Sequence, residues 1–159
     1  MLQLIRIRND EQSGVLYLAH VDSHKAPRMY TLVGHRNPLH CTEIGKVIMA
    51  FLDMDELNEI LHDQELHKYT ARTIVDKQEL KQHLESIRER GFSTEIEELA
   101  LGRACIAAPV RGRTGKVIEG ISILGPLSDI NLIEREHELS RIIIEATDRV
   151  SMKLGYITV

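Results

Sequence analysis

Cys105 and Ser122 lie in two runs, Gly102 to Arg111 and Lys116 to Leu124, that read as strands joined through Gly-Arg-Thr-Gly. With a two-residue turn at Thr114-Gly115, Arg113 pairs with Lys116, Ala107 with Ser122 and Cys105 with Leu124. Directly paired residues share a face, and so do residues two apart. Cys105, Ala107, Ser122 and Leu124 then line one face, the thiol and hydroxyl on a diagonal within reach of one small molecule. A three-residue loop would break this parity. Spacing alone also admits Cys105 as a small buried hydrophobe and Ser122 as a locally bonded hydroxyl.

Three further groups invite chemistry. Pro38 to Lys46, PLHCTEIGK, places a helix start directly after a strand and a tight loop. Free amides at Ile44 and Gly45 at the positive end of the helix dipole suit a carboxylate or phosphate, and Gly45 would let a ligand approach the backbone. A capped helix with a small residue packed on a sheet is the plainer reading. In the acidic run Glu95-Ile96-Glu97-Glu98, Glu95 and Glu97 share a strand face while Glu98 points to the other. An inward carboxylate could accept from ligand hydroxyls, although such a run also suits a solvated edge. The eight histidines include no HExxH and no Cys/His cluster, so no metal site is expected. Cys41 beside His40 is adjacency only, without an orienting acid. Walker, GxGxxG and GxSxG motifs are absent.

The elements that must position these groups follow from periodicity. Leu2 to Arg8 alternates as a half-buried strand, Asn9 to Gly14 is a turn, and Val15 to Val21 returns. A loop at Ser23 to Pro27 precedes a third strand from Arg28 to Val33. Ile44, Val47, Ile48, Phe51 and Leu52 recur at helical steps behind Thr42 as N-cap. Leu57, Ile60 and Leu61 continue as a second helix after Asp53. Asp76 and Glu79 have capping-box spacing ahead of a Leu80, Leu84, Ile87 stripe that Gly91 closes. Phe92 to Glu98 adds a strand before the hairpin. A last helix from about Asn131 carries Leu139, Ile143, Ala146, Val150 and Leu154 inward. This order predicts an α+β fold, an antiparallel sheet of about six strands flanked by helices.

The chain has 159 residues, 43% hydrophobic and 28% charged, enough for one domain over 1–159 with a real core. Twenty Lys plus Arg against 24 Asp plus Glu leave a charge of −4, which argues against this chain gripping nucleic acid by itself. No apolar run reaches the ~18 residues of a membrane span. Two cysteines without CxxC argue against a disulfide framework, and a cytoplasmic setting is the expectation.

PLHCTEIGK leading into a helix, followed by GFSTEIEELALGRACIAAPVRGRTGKVIEGISILGP, resembles the C-terminal effector-binding domain of the IclR family of bacterial transcription regulators. The likeness runs from the first hairpin to the closing DRVSMKLGY helix. RMYTLVGHRNPLHCTEIGK is most similar to the branch answering sugar acids such as 2-keto-3-deoxygluconate. The resemblance implies a GAF/profilin-like fold that binds a small carboxylic acid between the helix start and the inner sheet, with no cofactor. It places ligand contacts at Glu43 and Ile44, with Gly45 beside them, a pocket acid at Glu95, a thiol at Cys105, a serine at Ser122 and an apolar wall at Met29. Where relatives have a second serine stands Leu124, and Glu95 replaces an Asp of some relatives. Both changes point away from glyoxylate.

The resemblance also implies a homo-oligomer, dimer or tetramer, and DNA contact through an N-terminal winged helix-turn-helix. Nothing before the first strand reads as a recognition helix, so an isolated effector domain is expected. The expected mechanism is sensing without catalysis. The ligand carboxylate accepts from the Ile44 and Gly45 amides and from Ser122 and Cys105, while Glu95 accepts from a ligand hydroxyl. A cysteine-dependent hydrolase and a dry oligomerisation module are the alternatives. The Arg103, Arg111, Arg113 and Lys116 group reads as a solvated turn, or else as a nucleic-acid patch.

Overall fold

A computed structural model describes residues 2–6, 14–21 and 33–157. Among the described residues six antiparallel strands form one sheet in the order β3-β2-β1-β6-β5-β4. They are β1 (Leu2–Arg6), β2 (Val15–Val21), β3 (Arg36–Asn37), β4 (Ser93–Ile96), β5 (Arg103–Arg111) and β6 (Val117–Pro126). Between β3 and β4 come α1 (Glu43–Ala50), α2 (Met54–Asp63) and α3 (Lys77–Arg90). After β6 come the short α4 (Leu127–Ile130), which no periodicity predicted, and α5 (Leu132–Lys153).

The two faces of β5 carry different layers. Ala104, Ile106, Ala108 and Val110 join Ile121, Leu139 and Ile143 in an apolar core under α5. Ala107 belongs instead to a second core with Tyr17, Ile44, Val47 and Ile48, closed by Leu80, Leu84 and Ile87 of α3. Arg103, Cys105 and Ala107 therefore share the face toward α1, by the two-residue period of a strand. Glu95 pairs directly with Cys105 across β4 and β5, which puts it on that face too.

The β5–β6 ribbon reaches the expected pairing by another route. Ala107 pairs with Ser122 and Cys105 with Leu124. The turn, however, is longer than two residues: Gly112 N–H donates to Lys116 O, and Gly115 N–H to Gly112 O, with Gly115 at φ +80°. That loop alone would invert the parity of every residue below it. A bulge restores it, because Arg111 pairs with Val117 while Val110 pairs with Glu119, leaving Ile118 as the extra residue.

Other expectations are corrected. Among the described residues the third strand is Arg36–Asn37, after a turn in which Gly34 (φ +84°) donates to Tyr17 O, while the expected strand from Arg28 to Val33 lies outside the described residues except for Val33 in that turn. Residues 28–32 and 7–13, and with them Met29 and the first turn, lie outside the described residues. Strand β4 stops at Ile96 because Glu97 takes a left-handed φ of 57°, so strand parity fails beyond it and Glu98 turns inward. The buried stripe of α5 runs through Leu139, Ile143, Thr147 and Ser151 rather than to Leu154, which is exposed. Its hydroxyls satisfy themselves on the helix backbone, Thr147 on Ile144 O and Ser151 on Thr147 O.

Helix α1 starts as predicted: Thr42 Oγ1 accepts from Gly45 N–H at 3.2 Å and donates to Pro38 O at 2.7 Å. The reason for Gly45 differs from the expected one. A Cβ there would lie 2.2 Å from Leu39 O and 2.6 Å from Leu39 Cα, so the backbone of the preceding loop, not a ligand, uses the space. Gly45→Ala gains up to about 1 kcal/mol of helix propensity but overpacks against rigid backbone, at a cost of about 3 kcal/mol or more. We expect a net loss of about 2 kcal/mol in urea denaturation; an unchanged midpoint contradicts this packing.

Candidate functional site

The first turn of α1 lies across β5 and β6: a Cβ on Gly120 would meet Ile44 Cγ2 at 3.0 Å. From this turn Glu43 reaches the sheet, where Arg103 Nη2 donates to its Oε2 at 3.3 Å. Arg103 Nε donates to Glu95 Oε2 at 2.9 Å, and Nη2 also meets Cys105 Sγ at 3.0 Å. The Cys105 thiol in turn donates to Glu95 Oε2 at 3.3 Å. Glu95 Oε1 accepts from the Glu98 and Leu99 amides. One guanidinium thus ties α1, β4 and β5 together inside the protein, with Arg103 only 8% exposed.

A second buried cation stands one helical turn away. Lys46, fully buried and three residues after Glu43, forms an ion pair with Glu98 and donates to Thr94 O at 2.9 Å. Its ammonium also lies 3.4 Å from His83 Nε2. The Glu98 backbone carbonyl is held by Thr73 Oγ1 at 2.7 Å. Removing one partner of such a buried pair costs about 3–5 kcal/mol, since the other charge is left without water.

Among the described residues three buried side-chain oxygens have no hydrogen-bond partner: Glu43 Oε1, Glu98 Oε2 and Ser122 Oγ. Buried polar atoms are nearly always paired, with protein or with water, so these oxygens are the ones that a further polar group can satisfy. Helix geometry leaves the Glu43 and Ile44 amides without an intrahelical acceptor, whereas the Gly45 amide is taken by Thr42. The expected use of the Gly45 amide by a ligand is corrected accordingly.

Of the expected site residues, Glu43, Ile44, Gly45, Glu95, Cys105, Ser122 and Leu124 are all buried at the junction of α1 with the inner sheet. Cys105 and Ser122 face the same side. Glu95 differs from expectation in its bonding: its two oxygens already receive four donors, so it holds Arg103 in place. Arg103, Lys46 and Glu98 were missed. The parity that turned Cys105 inward applies equally to Arg103 two residues earlier, and helical spacing from Glu43 applies to Lys46. The basic group does not form one surface: Arg103 is buried, the Arg111 guanidinium lies 4.8 Å from the Phe51 ring, and Arg113 and Lys116 are exposed.

Glu43, Glu95 and Cys105 offer ligand atoms within 4.8 Å of one another, a spacing that suits a metal ion. The cation among them is the Arg103 guanidinium, which bonds to all three. Burial pushes the Cys105 thiol well above its usual range, Glu43 adding to this against Arg103. Burial likewise pushes Cys41 up to about 12, helped by Glu98 and Glu95. Neither thiol is a ready nucleophile. Burial also raises Glu95 and Glu98, opposed by Arg103 and Lys46 respectively.

A helix-flanked antiparallel sheet with a buried polar junction beneath one helix start is an arrangement in which side chains of both layers can meet one small polar molecule. Residues 3–152 match the family described as bacterial transcriptional regulator IclR C-terminal, and the chain belongs to it. The HTH-type transcriptional regulator KdgR of Escherichia coli (strain K12) is 38% identical over 146 residues, 92% of this chain and 55% of that protein. KdgR of Dickeya chrysanthemi is 37% identical over 146 residues, 92% of this chain and 48% of that protein. The chain thus spans about half the length of these relatives. The solved C-terminal domain of E. coli KdgR has a TM-score of 0.83 at 35% identity, covering 98% of this chain and 87% of that one. The Thermotoga maritima IclR structure has a TM-score of 0.90 at 32% identity, covering 98% and 61%.

Two measurements check the electrostatics. Ellman's reagent at pH 8 should leave both thiols unreacted in the folded protein and titrate both in urea; rapid labelling of the native protein contradicts the burial. Burial, with Lys46 and Arg90, depresses His83 to about 4. Below pH ~6.5 the unfolded chain takes up a proton that folded His83 refuses, so this residue costs stability as pH falls toward 4. A magnetic-resonance titration should place the His83 midpoint near 4, and wild type should lose stability relative to His83→Gln across that window. A midpoint near 6.5 overturns both expectations.

Proposed function

We propose that this chain is the effector-sensing part of a bacterial transcription regulator, holding a small hydroxylated carboxylic acid, a keto or sugar acid, without reacting with it. The observation that carries this reading is the pair of fully buried, unpartnered oxygens, Glu43 Oε1 and Ser122 Oγ, on α1 and on the sheet strand it covers. Ser122 Oγ and the Ile44 amide donate to the carboxylate, and Glu43 Oε1 accepts from a ligand hydroxyl. Charge-assisted hydrogen bonds of this kind contribute about 1.5–3 kcal/mol each where water is excluded. The protonated thiols favour Cys105 as a wall of the site, without nucleophilic chemistry.

The whole protein, on this reading, is cytoplasmic and contacts DNA through a helix-turn-helix segment outside these 159 residues, as the relatives' HTH-type names suggest. It works as a homodimer or tetramer. The effector changes DNA binding by favouring one subunit arrangement, to the extent that it binds that arrangement more tightly. Among the described residues no helix is long and apolar enough to cross a membrane.

Titration calorimetry with pyruvate, glyoxylate, D-gluconate and 2-keto-3-deoxygluconate should give saturable heat with a sugar acid or larger keto acid, and Ser122→Ala should weaken it about tenfold. A folded sample giving no heat with any of them overturns the reading. So does turnover of an activated ester that disappears in Cys105→Ala.

A further inference from the structure

We propose that Arg103 is the residue that selects for a carboxylate, receiving it at Nη2 in exchange for Glu43; this rests on the effector-site reading above. An anion entering the junction meets three buried carboxylates, Glu43, Glu95 and Glu98. Among the described residues two buried cations, Lys46 and Arg103, stand against them. Lys46 is committed to Glu98, to Thr94 O and to His83. Arg103 is the cation left to meet a guest.

Its bonds divide into an anchor and an exchangeable part. The anchor is Nε on Glu95 Oε2 at 2.9 Å, with Glu95 itself fixed through Oε1 by two backbone amides. The exchangeable part is Nη2, which lies 3.3 Å from Glu43 Oε2 and 3.0 Å from the neutral Cys105 sulfur. A ligand carboxylate oxygen makes a shorter charge-assisted bond than either. Glu43 is the partner with most to gain from exchange, because its Oε1 already lacks a donor and a ligand hydroxyl can supply one. The guanidinium is thus oriented before the ligand arrives. The planar fork that lets it hold Glu95 with Nε while offering Nη2 is a property lysine lacks.

Selectivity distinguishes this role from a merely structural one. Calorimetry on the 159-residue chain would use D-gluconate and pyruvate, each beside its uncharged amide, D-gluconamide and pyruvamide. Wild type should prefer the acid that binds by about tenfold or more over its amide. Arg103→Lys should lower affinity for the acid about tenfold and leave the amide unchanged; Arg103→Met should bind both alike. Should Arg103→Met fail to fold, with Glu43 and Glu95 stranded, Glu43→Gln carries the test. It removes the competitor for Nη2 and should tighten acid binding several-fold. Acid affinity unchanged in Arg103→Lys, equal loss for acid and amide, or weaker acid binding in Glu43→Gln overturns the inference while leaving the effector reading intact. Failure of every acid to bind wild type overturns the effector reading itself, and this inference with it.

Discussion

A charged arginine buried between two layers is the constraint around which the rest of this domain is arranged. The guanidinium of Arg103 cannot be left without partners, because water does not reach it to offset the loss of hydration. Glu95 and Glu43 supply the counter-charge, one from the neighbouring strand and one from the helix above. Each carboxylate is then constrained in turn. Glu95 needs the Glu98 and Leu99 amides, and so the left-handed bend at Glu97 that swings those amides beneath it. Glu43 needs the helix start held low over the sheet, which the Leu39 contact with Gly45 and the Thr42 cap provide.

The opposite face of β5 shows what this polarity displaces. There Ala104, Ile106, Ala108 and Val110 pack under α5 with Ile121, Leu139 and Ile143, the ordinary way to fill a sheet-on-helix layer. The strand divides labour by residue parity: even positions close the core under α5, and the odd positions at its start place Arg103 and Cys105 in the polar junction. Buried ion networks are weak sources of stability compared with apolar packing of the same volume. The network around Arg103 and Lys46 therefore holds the face toward α1 at a cost that the apolar layer under α5 does not carry.

Much of this was legible in the sequence, for reasons that can be named. Helix starts were readable because Thr42, Asp53 and Asp76 each place an oxygen where an amide needs one. The shared face of Cys105 and Ser122 was readable because pairing parity survives any change that adds one residue to each side. Glu98 was misplaced because strand alternation was carried through Glu97, where the backbone leaves the extended region. Arg103 was grouped with its charged neighbours near the turn, although its own parity pointed inward. The inner stripe of α5 was misread past Ile143 because Thr147 and Ser151, polar by type, bond to their own helix and behave as small apolar residues. The identity of Gly45's close neighbour depends on a loop path that no local pattern encodes.

The paired irregularities of the β5–β6 ribbon carry an evolutionary corollary. Because the extra residue in the turn is cancelled by the bulge at Ile118, everything toward the free end of the ribbon is insulated from everything toward its root. Descendants of this sequence can lengthen or trim that tip by matched steps, and remodel whatever it touches, while the half beneath α1 keeps its alignment. A lone insertion has no such freedom: it would turn Ser122 toward α5 and bring an isoleucine into the polar junction.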